Sequence, residues 1–123
     1  MLINLSNHPY SQWSEKQKET AEKLYGEVVD LPFPFVKPEL STKEVKELAN
    51  DYYNQVIAFF EKHPNGTKQN AVHIQGEFIF VFHLVTQLKK VGIQCIASTS
   101  KRDIQQVGSK KIINFNFIQF RKY

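Results

Sequence analysis

The residues best suited to chemistry cluster at positions 98–102, where Ser98, Thr99, Ser100, Lys101 and Arg102 follow the apolar run 93–97. Three hydroxyls can donate hydrogen bonds to phosphate or ribose oxygens. Lys101 brings a point charge, and Arg102 a planar fork that suits two phosphate oxygens at once. If 93–97 is a buried strand, these five residues form the loop at its carboxyl end. Two further loops have the same placement. Ser6, Asn7, His8 and Pro9 follow the apolar opening "LINL", and Gln75, Gly76 and Glu77 follow "AVHI" at the start of a helix. Free amides at a helix start attract anions, and glycine there lets a phosphate approach. His8 has an imidazole, the side-chain type suited to binding a ligand or moving a proton, or it simply shapes the turn before Pro9. Glu77 suits a first helical turn, Gln75 suits a buried backbone group, and each is also a candidate ligand contact.

A strand and helix framework must position these loops. Ser14 begins a first helix with Gln17 as its capping-box partner; Ala21, Leu24 and Tyr25 mark its inner face, and Gly26 its end. "EVVDLP" reads as a second strand, followed by an extended connection through Pro32, Pro34 and Pro38. "STKE" at 41–44 is a second capping box, opening a helix whose core face is Val45, Leu48, Ala49, Tyr52, Val56, Phe59 and Phe60, with "HPNG" at 63–66 as its stop. "AVHIQ" is a third strand, 77–91 a helix buried nearly all round, and "IQCIAST" a fourth strand. "IQQV" and "IINFNFIQF", joined by "GSKK", read as a hairpin at one edge.

This order predicts a three-layer α/β, Rossmann-like fold: a mostly parallel sheet of four strands, helices on both faces, and a carboxyl-terminal hairpin, all in one domain over 1–123. Ligands of such sheets bind beyond the carboxyl ends of the strands, at the point where strand order reverses. The three loops therefore become one expected pocket for a phosphate or nucleotide.

Charge distribution agrees. Residues 1–100 hold ten Lys/Arg against eleven Asp/Glu, whereas 101–123 hold six against Asp103 alone. A cationic carboxyl end favours phosphate-bearing partners, or simply solubilises the chain. Neither a glycine-rich dinucleotide fingerprint, a P-loop nor a serine elbow is present, which argues against a dehydrogenase or kinase. His73 and His83 lie on apolar elements and read as packed side chains. With no paired Cys/His spacing, neither a metal nor a cofactor is expected. The lone Cys95 reads as a buried thiol in a reducing compartment. No apolar stretch approaches the ~20 residues of a membrane span, and the amino terminus lacks signal-peptide features, so a cytoplasmic protein is expected.

In feature order, the Ser/His turn, "DLP", "IQGEF", "ASTSKR" and the closing "FNFIQFRKY" resemble small stand-alone CRISPR-associated proteins of type III systems, grouped with ring nucleases and Rossmann-like sensors of cyclic oligoadenylates. The resemblance spans nearly the whole chain; the family often has a histidine where this chain has Asn116 and Phe117. It implies a homodimer clasping a cyclic oligoadenylate, with phosphates at Gly76 and residues 98–102 and adenines stacked on Tyr10 or Trp13. It also implies metal-independent cleavage, in which a ribose 2′-hydroxyl attacks the neighbouring phosphorus. Lys101 and Arg102 would stabilise the added charge, and His8 and Ser98 would assist proton movement and binding. A sensor or sponge that binds without cleaving is one alternative, and a binder of long RNA or DNA through the cationic end is another.

Overall fold

The computed structural model describes residues 1–64 and 68–123. Nine elements follow in order: β1 (Leu2–Ser6), a 3₁₀ turn (Tyr10–Gln12), α1 (Glu15–Tyr25), β2 (Val28–Asp30), α2 (Thr42–Lys62), β3 (Ala71–Gln75), α3 (Phe78–Lys90), β4 (Gln94–Val107) and β5 (Lys110–Lys122). They form a five-stranded sheet in the order β2-β1-β3-β4-β5. The first four strands are mutually parallel and β5 runs antiparallel to β4. This is the expected mostly parallel α/β, Rossmann-like arrangement with a terminal hairpin. The chain crosses from the β2 side of β1 to the β3 side, so the sheet reverses order between β1 and β3.

Strand alternation divides the core. Ile3, Leu5, Val72, Ile74 and Cys95 face α2 and α3, packing on Val45, Ala49, Val56, Phe80 and Leu84. Leu2, Ala71 and Ile96 face the opposite way and meet Ala21, Tyr25 and Trp13. Helices thus cover both faces.

Local signals set the helix ends. Ser14 Oγ accepts from the Gln17 amide and Gly26 closes α1 at φ 85°. The Gln17 side chain, however, does not complete a capping box; it reaches across to Ser98. Ser41 and Glu44 do form the reciprocal box at the start of α2. His63 ends α2, whereas residues 65 and 66 of the expected stop signal lie outside the described residues.

Three further expectations change. Residues 98–102 are not a loop: β4 continues without a break to Val107, so the hairpin is the outer half of the fourth strand paired with β5. Leu24 points outward at 50% exposure. Nor is α3 buried all round, since Phe78 and Phe82 are 86% and 65% exposed. Among the described residues, no helix is long and apolar enough to cross a membrane.

Candidate functional site

The carboxyl ends of β1, β3 and β4 do come together. Ser6 and Gln75 are register partners across β1 and β3. Gln75 then reaches β4 with its side chain, accepting from the Ser98 amide (3.1 Å) and donating to the Ser98 carbonyl (3.2 Å). One glutamine side chain thereby continues the sheet by one step after the main-chain ladder of β3 and β4 has ended at His73 and Ile96.

On the face covered by α1, a hydrogen-bond chain crosses the four parallel strands. Asn4 stands in register with both Asp30 of β2 and His73 of β3. Its Nδ2 donates to Asp30 Oδ1 and to the His8 carbonyl, both at 2.8 Å. Since those two partners only accept, the orientation of the Asn4 amide is determined, and Oδ1 faces His73 Nδ1 at 2.9 Å. Nδ1 must carry the ring proton, leaving Nε2 as the acceptor. Ser98 Oγ lies 2.7 Å from Nε2 and donates its hydrogen there. Gln17 Nε2 in turn donates to Ser98 Oγ at 2.9 Å. Every donor in the series Gln17, Ser98, His73, Asn4 points toward the Asp30 carboxylate.

The His73 ring sits in an aromatic box, with Trp13 and Phe120 at 5.1 and 5.7 Å between centroids, and the residue is 2% exposed. Burial pushes its pKa down to about 4, and the nearby His8 adds to the shift. Burial therefore favours the neutral imidazole at pH 7, and a neutral ring with its proton on Nδ1 satisfies both hydrogen bonds.

The expected site residues divide between those that converge and those that do not. Ser6 is buried and bonds Asn4 Oδ1. The His8 carbonyl gathers Asn4, Ser6 and the Trp13 indole, so this turn is locked, with the His8 residue itself exposed. Asn7 is exposed beside a cleft of about 340 Å³ formed with Asn4, Ser6 and Asp30. Trp13 is 5% exposed and its ring is committed to the core, so it offers no stacking surface for a base. The Tyr10 hydroxyl donates to Glu22, a bond that, with a smaller desolvation effect, raises the phenol pKa to about 12.

The start of α3 does not form the expected anion cradle. A Cβ on Gly76 would lie 2.2 to 2.7 Å from the Phe33 ring, so the missing side chain makes room for Phe33. Glu77 caps the helix, its carboxylate accepting from the amides of Ile79 and Phe80. Those amides are taken, and the charge placed there is negative. Thr99 is tied to Gln119 by both its donor and acceptor capacity, at 3.0 and 3.2 Å.

Ser100, Lys101 and Arg102 are exposed on the hairpin. Pairing slips between Thr99 and Ser100, which meet Gln119 and Phe117, so the extra residue is Ile118 on β5 and alternation along β4 continues. Arg102 therefore shares the face of Ser98, about 13 Å farther along the strand, and Lys101 takes the opposite face. The two cations do not serve one pocket together.

Asn4, Asp30, Gln17 and His73 are the members that sequence reasoning missed. Their signal was present: Asn4 and Ser6, and His73 and Gln75, are polar residues at alternate positions of otherwise apolar strands, a pattern that places them on one face. Among the described residues, no three His, Cys, Asp or Glu side chains gather.

No curated protein and no solved structure matches this chain. A family profile matches residues 1–121. The chain thus belongs, over nearly its full length, to the uncharacterized protein MJ1673 family.

Proposed function

We propose that this protein is a cytoplasmic homodimer that binds a cyclic oligoadenylate and opens it without a metal, as part of type III CRISPR antiviral signalling. The observation that carries this reading is the convergence of Ser6, Gln75 and Ser98 at the strand ends, beside a hairpin bearing Arg102 on the same face. A ring of phosphodiesters and ribose hydroxyls needs both components: fixed polar groups for the sugar, and a cation reaching the phosphates. Two copies related by a two-fold axis would present two such edges to one ring. In the cleavage step, a 2′-oxygen attacks phosphorus, the 5′-oxygen leaves with a proton, and a 2′,3′-cyclic phosphate remains.

A non-catalytic sensor or sponge is the second reading. It is supported by the separation of Lys101 from Arg102 and by Glu77 on the α3 amides, which leave fewer groups to stabilise a phosphorane. The test is incubation of the purified protein with labelled cyclic oligoadenylates of graded ring size in the presence of a chelator. Linear products ending in 2′,3′-cyclic phosphate establish cleavage. Intact rings that co-elute with the protein establish the sensor, and neither binding nor cleavage overturns both readings.

A further inference from the structure

Ser98 is the outermost member of the buried chain and is itself partly exposed at the strand end. A serine hydroxyl has one hydrogen to donate and two lone pairs to accept with. Its hydrogen is committed to His73 Nε2, because the ring is buried and neutral and its one proton is held on Nδ1 by Asn4 Oδ1. One lone pair takes the Gln17 amide. What Ser98 Oγ has left for a ligand is a single lone pair. The residue that looks from sequence like a phosphate donor is, toward a ligand, an acceptor, and phosphodiester oxygens, having no hydrogen at neutral pH, cannot satisfy it.

We infer that Ser98, positioned by His73 and Asn4, accepts a hydrogen bond from a ribose 2′-hydroxyl and so sets a preference for ribose over deoxyribose. This rests on the cyclic oligoadenylate reading above. The determinant lies in the direction of the hydrogen bonds. Asn4 is saturated, with two acceptors on Nδ2 and donors from His73 and Ser6 on Oδ1, so neither its amide nor the imidazole can reverse without leaving a buried partner unmatched. Ser98 is held equally firmly from behind, since Gln75 clamps its amide and carbonyl. His73 and Asn4 touch no ligand in this arrangement and act as positioning residues.

The test compares affinities for a cyclic oligoadenylate and its all-2′-deoxy counterpart of the same ring size. The wild type is expected to favour the ribose ring by at least tenfold. Ser98→Ala should reduce that ratio to below about threefold, chiefly by weakening the ribose ring, since an alanine has no acceptor to leave unpaired. His73→Phe, which keeps a ring in the aromatic box but releases the Ser98 hydrogen, should likewise shrink the ratio while the deoxy ring binds as well or better. A merely structural loss would instead weaken both rings together. Glu19→Ala, an exposed α1 position outside the hydrogen-bond chain, should retain the preference; if His73→Phe does not fold, Ser98→Ala and Glu19→Ala decide the matter. Equal wild-type affinity for the two rings, or a preference that survives in Ser98→Ala, overturns this inference and leaves the ring-binding reading standing. No affinity for either ring overturns both.

Discussion

His73 Nε2 lies 2.7 Å from Ser98 Oγ, joining the adjacent parallel strands β3 and β4 by side chains just beyond the last pair in their main-chain ladder. Burial keeps this imidazole neutral, with a consequence for stability. An ordinary histidine in the unfolded chain takes up a proton below pH 6.5, whereas folded His73 resists protonation until about pH 4. The unfolded state binds more protons within that window. The His73 contribution is therefore fully present above pH 6.5 and is lost as pH falls toward 4, by roughly 3 kcal/mol in all. Urea unfolding of wild type and His73→Gln across this range should show the wild-type curve falling more steeply; parallel curves would refute a buried neutral ring.

Arg102 and Lys101 are neighbours in sequence with opposite placements on β4. Arg102→Ala is expected to weaken binding of a cyclic oligoadenylate by about tenfold or more, as loss of a charge-assisted pair does. Lys101→Ala should change it by less than about threefold, the scale of an exposed charge acting at a distance. Titration of both variants at one fixed salt concentration distinguishes them, and equal losses would mean that the ligand spans both faces of the hairpin.

Glu77 occupies the amides that an anion would need at α3. Replacing it with Ala should destabilise the fold by about 1 kcal/mol through the lost cap. The same change should leave ring affinity unchanged or raise it, because a negative charge is removed and two amides are released. Denaturant midpoints and ligand titration on one preparation check both outcomes; a large loss of affinity would show that Glu77 touches the ligand.

Gly76 and Phe33 form a matched pair of missing and present side chains. Gly76→Ala drives a methyl into the Phe33 ring, which packs on Phe80 at 5.0 Å between centroids. A cost of about 1–3 kcal/mol is expected, as for other overpacked contacts. In the Phe33→Ala background the same substitution should cost little. A double-mutant cycle by urea unfolding measures this coupling, and additive losses would show that the glycine serves another purpose.

The sequence by itself determined the order and type of the elements. Capping residues at Ser14 and Ser41, the glycine at 26 and the helical spacing in α2 are local signals, and short parallel strands read as apolar runs because both faces are covered. It also pointed to the ends of β1, β3 and β4 as the place to look. Residues 98–102 were misread because the outer hairpin is exposed on both sides. Without a core to enforce alternation, polar residues in a strand look the same as polar residues in a loop.

Only the tertiary structure decided what each polar group had left to offer. Glu77 and Phe33 come from different segments and together remove the Gly76 region from anion binding. Asn4, Asp30, His73, Ser98 and Gln17 are scattered over residues 4–98, and strand order and register bring them into one line. A hydrogen bond depends on which partner is already satisfied, and that is a property of the assembled neighbourhood. No stretch of sequence contains it, which is why Ser98 reads as a free donor in the chain while in the fold its hydroxyl is engaged by both His73 and Gln17.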